Sequence, residues 1–353
     1  MAPLSERDRA KIETLKARLE QCREERTLQA ERHHHAIAAH KQQQEAAKTR
    51  ARVLAHRIPS ETALRLVLPH RAAALRASAP PVPAAAATDR FEPVANSGLT
   101  FFVPREIRVP GKLADRIHNG WLPLREIAEA RDVAVGGVML DIGANVGTTV
   151  IPRIALGDFM WAFAAEAEPG NAQCLQLAVL ANGMHDRIVV DHTAIADHDG
   201  AIELAVSSQI GTHRVLLNND SARRTVSVPC RRLDTWARER NIDLGLTTFI
   251  KCDVEGAEMA VLRGAGEVLA RRHIAWQIEF SPAALCAQRV DPADFLTLLT
   301  TQFGYFIDLH GDGTRDRCRP SNALADAVGY VGGDDTSYTN LVLFNGSPGD
   351  AIP

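Results

Sequence analysis

The sequence predicts an α/β protein built on a parallel sheet and preceded by a long helical arm. Three observations carry that prediction. From about residue 100, short β-rich runs alternate with helical stretches, the pattern of strands joined by crossover helices. The apolar run Val138–Ile142 passes directly into the turn Gly143-Ala-Asn-Val-Gly147, the arrangement by which an α/β fold opens a ligand crevice at a strand's carboxyl end. Residues 5–57 contain neither Gly nor Pro and are rich in good helix formers.

The arm comes first. Ser5 can cap its start, with Asp8 three residues on. Ile12, Leu15, Leu19 and Cys22 keep a 3–4 spacing, but the seam then passes to Arg26 and Gln29. About two repeats fall short of the three or four a coiled coil needs, so residues 5–57 are expected to form a long helix or helical hairpin with a modest tendency to oligomerise. His33, His34 and His35 sit inside it, about 100° apart around a helix, and cannot converge on one ion. The arm runs to residue 76. Residues 77–92 read as an Ala/Pro linker, extended around Pro80, Pro81 and Pro83. An N-terminal cap over 93–135, an α/β core over 136–310 and a C-terminal segment over 311–353 follow.

Within the core the clearest strands are Val138–Ile142, Trp161–Glu166, Ile188–Asp191, Thr248–Asp253 and Ala275–Phe280, with Tyr305–Asp308 and Asn340–Phe344 as later ones. A hairpin, Ile202–Val206 with Thr225–Val228, separates the third strand from the fourth. Helices are expected near 148–156, 170–182, 234–241, 257–270 and 291–303.

Composition narrows the function classes. The 353 residues suggest about two folding units, and 46% hydrophobic with 24% charged residues excludes disorder throughout. The longest uncharged stretch, residues 169–185, is interrupted by Pro, Gly, Asn and Gln and falls short of the ~20 apolar residues of a spanning helix, and the start MAPLSERDRAK has no apolar leader region. Six Cys are scattered without a CxxC pair, which argues against a disulfide framework or structural zinc and for a reducing, cytoplasmic setting. The net charge of −3 conceals an asymmetry: residues 1–90 hold 17 basic and 10 acidic residues, the remainder 23 and 33. A basic arm could meet a membrane surface or nucleic acid. Acids and bases alternate closely, however, and no aromatic precedes Phe91 to stack on bases, so a solvated helix is favoured and no nucleic acid is expected.

Four blocks carry chemistry. In the first, Asp141 sets a carboxylate near a strand tip, suited to a ligand ammonium, while Gly143 and Gly147 let backbone approach a ligand closely. Asn145 stands where a dinucleotide fingerprint wants Gly, which argues against a nicotinamide site. In the second, Glu166-Ala-Glu168-Pro169-Gly-Asn171, Glu168 lies 21 residues after Gly147, the spacing of an acid that accepts ribose hydroxyls. Glu166 competes for that role, and Pro169, which fixes the turn, favours Glu168. In the third, Asp197 either lines an adenine edge or merely turns the chain before the hairpin. In the fourth, Lys251, Asp253, Glu255 and Glu258 crowd one strand tip, where like charges raise one another's pKa. Asp253 and Glu255 read as functional and Glu258 as a helix-start residue. Glu279 adds an acid to the same rim. His192, His198 and His213 are rival bases without companion motifs, and surface positions are favoured for them. Trp276 and Cys252 read as core.

Together the blocks resemble the FkbM-type methyltransferases, which use S-adenosylmethionine. The matching pieces are LDIGANVG at 140–147, EPGN at 168–171, Leu233-Asp234, IKCDVEGAE at 250–258 with Val261-Leu-Arg-Gly264, and Ile278-Glu279, over about residues 136–310. Ala167 departs from the pattern, where an aromatic is expected. The resemblance implies a class I methyltransferase sheet, Rossmann-like, seven-stranded and mostly parallel, with helices on both faces. It implies O-methylation of a hydroxyl, on a glycan or a small hydroxylated metabolite. Cofactor contacts then fall to Asp141, Gly143, Asn145, Gly147, Glu168, Asn171 and Asp197, and deprotonation to Asp253 or Glu255. A divalent ion such as Mg²⁺, if used, would lie on Asp253, Glu255 and Glu279. The arm is then a candidate for self-association, or for docking to a membrane-associated glycan-assembly system. An oxidoreductase and a non-catalytic scaffold using the arm are the alternative readings.

Overall fold

The computed structural model describes residues 90–105, 116–117, 122–131, 133–205, 214–215, 225–310, 318–334 and 337–345. The expected helical arm and all but the end of the linker lie outside these residues.

The strands are β1 (Phe91–Asn96), β2 (Leu99–Pro104), β3 (Val138–Ile142), β4 (Trp161–Glu166), β5 (Ile188–His192), β6 (Ala194–Ala196), β7 (Gly200–Ala205), β8 (Arg214–Val215), β9 (Thr225–Arg232), β10 (Thr247–Cys252), β11 (Ala275–Phe280), β12 (Tyr305–Asp308), β13 (Cys318–Pro320) and β14 (Thr339–Phe344). The helices are α1 (Leu124–Arg131), α2 (Val150–Ala155), α3 (Pro169–Ala181), α4 (Leu233–Glu239), α5 (Glu258–Arg263), α6 (Gly266–Leu269), α7 (Pro282–Ala287), α8 (Pro292–Gln302) and α9 (Leu324–Ala327).

The main sheet has eight strands in the order β13-β12-β14-β11-β10-β3-β4-β5. The run β11-β10-β3-β4-β5 is parallel. β14 inserts antiparallel between β11 and β12, and β13 returns antiparallel along β12. The sheet is therefore mixed and eight-stranded, where seven mostly parallel strands were expected. The extra edge strand is three residues long, too short for periodicity to reveal.

All five residues of β3 are buried, as a central parallel strand covered on both faces requires. The period of two decides which face each side chain serves. Met139, Phe249 and Val342 pack with Val150, Ile151 and Ile154 of α2 and Leu175 and Ala178 of α3. Leu140, Ile250 and Trp276 pack on the other face with Leu233 and Trp236 of α4, Val261 of α5 and Phe295 of α8. On the first face the same alternation brings Asp141 beside Lys251, Lys251 beside Gln277, and Glu279 opposite Asn340. A polar row thus crosses the carboxyl ends of an otherwise apolar sheet face.

α2 is anchored by an internal cation. Arg153 is fully buried, its guanidinium 4.6 Å from the ring centres of both Phe159 and Phe249. Its Nε donates to Asp158 at 3.1 Å and Nη2 to the Ala134 carbonyl at 3.0 Å. Burial lowers this guanidinium to a pKa of about 10.

The expected hairpin forms as β7 with β9, within a second sheet ordered β6-β9-β7-β8. The helix expected over 257–270 is two helices. Gly264 is the C-cap of α5 and packs so close to β6 that a Cβ there would lie 2.0 Å from the Ala196 carbonyl oxygen. The Asp234 carboxylate then caps α6, accepting from the amides of Glu267 and Val268 at 3.0 and 3.1 Å. The β1–β2 hairpin was not foreseen, and β1 begins inside the stretch whose composition reads as linker. Ser97 and Gly98 both take positive φ at its turn, the geometry that suits strand twist. Asn182, just beyond α3, holds this hairpin by its side chain, bonding the Thr100 amide at 3.0 Å and the Thr100 carbonyl at 2.7 Å.

Candidate active site

The loop after β3 is pinned from three sides. The amides of Gly143 and Ala144 donate to the Ala165 carbonyl at 2.9 and 3.1 Å. Asn145, at φ 53°, donates its amide to Glu166 Oε2 at 2.8 Å. A Cβ on Gly143 would lie 1.9 Å from the Asp253 carbonyl oxygen, and one on Gly147 would meet the side chains of Leu175 and Ile151 at 2.5 and 2.8 Å. The two glycines thus let the loop pack closely on the residue after β10 and on helices α2 and α3.

The two acids after β4 divide their work. Glu166 accepts the amides of Asn145 and Glu168, each at 2.8 Å, and so clamps the β3 loop to the β4 turn. Burial, only partly offset by these bonds, raises its pKa to about 7. Glu168 is the N-cap of α3, accepting the Asn171 amide on Oε2 at 2.6 Å. Sequence reasoning weighed Glu166 only as a rival for the ribose. Its position as the last residue of β4 was the available signal for its clamping role.

Within this frame lie buried acceptors that the described residues leave wholly or partly unsatisfied. Asp141 is 0% exposed and makes no side-chain hydrogen bond; the Val150 amide and, at ion-pair distance, Lys251 meet its carboxylate. The side-chain oxygens of Asn145 and Asn171 are buried and unpartnered. Buried polar atoms are normally satisfied, so this concentration of acceptors marks a place suited to a ligand rich in donors. Lys251 Nζ stands 3.8 Å from Asp141 Oδ1 and donates to Asp253 Oδ2 at 3.0 Å. The two carboxylates outweigh the cost of burying this ammonium and hold it firmly protonated. Asp141 itself is raised above the ordinary carboxylate value by burial, against the pull of Lys251.

Around Asp253 the acids converge. Carboxylate oxygens of Asp253, Glu258 and Glu279 all lie within 4.8 Å of one another. Oxygen donors of this kind suit a hard divalent cation. Asp253 and Glu279 belong to the expected set, Glu258 joins them, and Glu255 is close enough to act on the Glu279 carboxyl as well. Glu255 sits at φ 54° in the turn before α5, whereas Glu258 begins the helix and turns its Oε1 back onto the Val254 amide at 2.8 Å. Burial raises Glu258 to about 7, and burial with the neighbouring acids raises Glu255 and Glu279 well above the ordinary range.

Asp197 belongs to the exposed turn between β6 and β7 of the smaller sheet and pairs with His198 at 2.8 Å. His192 is exposed and bonds the Ala167 carbonyl; His213 lies outside the described residues. Trp276 and Cys252 are buried in the core.

The fold is an α/β sheet with buried polar groups gathered at the carboxyl ends of β3, β10 and β11. Residues 141–307 match the family model described as Methyltransferase FkbM domain. Over that span, a little under half of the chain, the sequence matches this methyltransferase domain. Among solved structures it is similar to methyltransferase FkbM from Methylobacillus flagellatus KT, with 20% identity, 59% of this chain and 44% of that chain covered, and a TM-score of 0.37. It is also similar to the B. subtilis m1A22 tRNA methyltransferase TrmK, at 14% identity, 63% and 66% coverage and a TM-score of 0.34. A third is M. capricolum TrmK in complex with S-adenosylhomocysteine, at 11%, 62% and 66%, and 0.33. The chain thus spans less than half the length of the first of these and just under two thirds of the others. No curated protein matches.

Proposed function

We propose that the protein is an S-adenosylmethionine-dependent O-methyltransferase acting on a hydroxyl of a glycan or small hydroxylated metabolite. The observation that carries the proposal is Asp141, a fully buried carboxylate beside a pinned loop, whose neighbouring cation, Lys251, is 3.8 Å away and hydrogen-bonded to Asp253 instead. Such a group calls for a cationic donor, and the amino-acid end of the cofactor offers an ammonium. The orphaned oxygens of Asn145 and Asn171 suit the hydroxyl and amine donors of its nucleoside. When bound, S-adenosylmethionine supplies a sulfonium-activated methyl group. The chain's residues hold the acceptor oxygen in line with that group, and positioning of this kind can lower a barrier by about 7–11 kcal/mol. Asp253 accepts the hydroxyl proton, an effect on the order of 10²–10⁴-fold, while Lys251 holds its carboxylate in place from below. Glu255 is the second candidate base. The arm, residues 5–57, is proposed to hold copies of the chain together.

Calorimetry tests this reading. S-adenosylmethionine should bind and NAD should not. Asp141→Asn should weaken cofactor binding at least about tenfold, a change of ~1.4 kcal/mol. Asp253→Asn should keep cofactor binding and lose turnover by about 10² or more. Preference for NAD, or full activity in Asp253→Asn, would refute it.

A further inference from the structure

We infer that the corner formed by α1, the end of β12 and the start of β14 is the acceptor subsite, and that it takes an uncharged ligand rich in hydroxyl donors, such as a sugar ring. The inference rests on the methyltransferase reading above and specifies its acceptor side.

The corner adjoins the acid cluster through the sheet itself. β11 and β14 pair with Glu279 opposite Asn340, so the two side chains share a face. Asn340 is 5% exposed. Its Nδ2 donates to Glu126 Oε2 at 3.1 Å, which fixes the amide's orientation, and its Oδ1 is buried without a donor. The other Glu126 oxygen pairs with His310 Nε2 at 3.0 Å. The Tyr338 ring meets this imidazole edge-on, with centroids 5.2 Å apart, and is 37% exposed. It therefore offers an aromatic face at the rim.

The chemistry of this wall selects the ligand. Glu126, Glu279, Asp253 and the orphaned Asn340 oxygen are all acceptors, so the ligand must donate. Asp308 adds further negative charge, and the nearby Arg116 is engaged with Tyr338. A phosphate here would lie beside Glu126 and Asp308 as well as the acid cluster, and like charge disfavours it. Hydroxyls supply donors without charge, and the apolar face of a sugar ring can lie on Tyr338. Glu126, Asp308, His310, Tyr338 and Asn340 all fall outside residues 141–307, the span matched by the family model. The corner is thus a feature of the segments that flank the shared domain.

The test uses the full chain saturated with S-adenosylhomocysteine. Methyl glucoside, maltose, glucosamine and glucose 6-phosphate are titrated and followed by saturation-transfer NMR. The neutral sugars should bind, and the phosphate should bind at least about tenfold more weakly. Tyr338→Ala and Asn340→Leu should each weaken neutral-sugar binding about tenfold while changing affinity for S-adenosylhomocysteine less than about twofold. That second readout shows each variant to be folded. Preferential binding of the phosphate, binding of the amine alone, no sugar binding, or variants that bind sugar like the parent would each overturn the subsite. A parent protein that fails to bind S-adenosylhomocysteine would instead sink the methyltransferase reading, and the subsite with it.

Discussion

At the scale of single residues, the site is a set of unequal carboxylates. Asp141 is buried without a side-chain hydrogen bond, Glu166 accepts two backbone amides, and Asp253 is tied to a lysine. Sequence alone presents them as similar acids at strand tips. The surrounding donors differentiate them, and those donors come from other strands. Glu166 gives the sharpest check. Glu166→Gln keeps the shape but offers only one accepting oxygen, so the amide of Asn145 or Glu168 loses its partner. The expected cost is about 1–3 kcal/mol of stability, with weaker cofactor binding as the loop loosens. Thermal unfolding with and without S-adenosylmethionine measures both, and an unchanged melting temperature would remove the clamp from the account.

At the scale of elements, local pattern and long-range contact share the control. β3, β4 and β11 were legible to the residue, because central parallel strands are continuous apolar runs bounded by Gly, Pro or charge. The division of the 257–270 helix was not legible, since Gly264 owes its place to a carbonyl on β6 some 70 residues earlier. Nor was the docking of the β1–β2 hairpin, which depends on Asn182. Asn182→Ala removes the side-chain bonds to both polar groups of Thr100. It should cost about 1–3 kcal/mol and speed hydrogen exchange at the β1–β2 amides relative to those of β3. Equal protection in parent and variant would mean that apolar packing of Phe101 and Val103 alone holds the hairpin.

At the scale of the whole molecule, buried acids make stability depend on pH. Glu166 and Glu258 have folded-state values near 7, above their ordinary 4.5, because burial disfavours the charged form. Between pH 4.5 and 7 the folded protein holds protons that the unfolded chain has released. This contribution is therefore fully present below pH 4.5 and is lost as pH rises through 7, by up to roughly 3 kcal/mol per carboxylate. Denaturant unfolding at pH 5 and pH 8 should show the fall. Glu258→Gln, which can still accept the Val254 amide, should flatten the dependence and be the more stable form at pH 8. A parallel pH profile in parent and variant would refute the assignment.

The sequence by itself determined the α/β class, the order of the central strands along the chain and the acids at their tips, because burial on both faces forces long apolar runs and leaves polar residues only where strands end. Only the tertiary structure decided which acid keeps company with which. Asp141 meets Lys251 through strand register, Glu258 joins Asp253 and Glu279, and Asn340 crosses from the far end of the chain to complete the wall. Those pairings are fixed by sheet order and by long-range approach between residues as much as 214 apart in sequence, and they leave no local pattern.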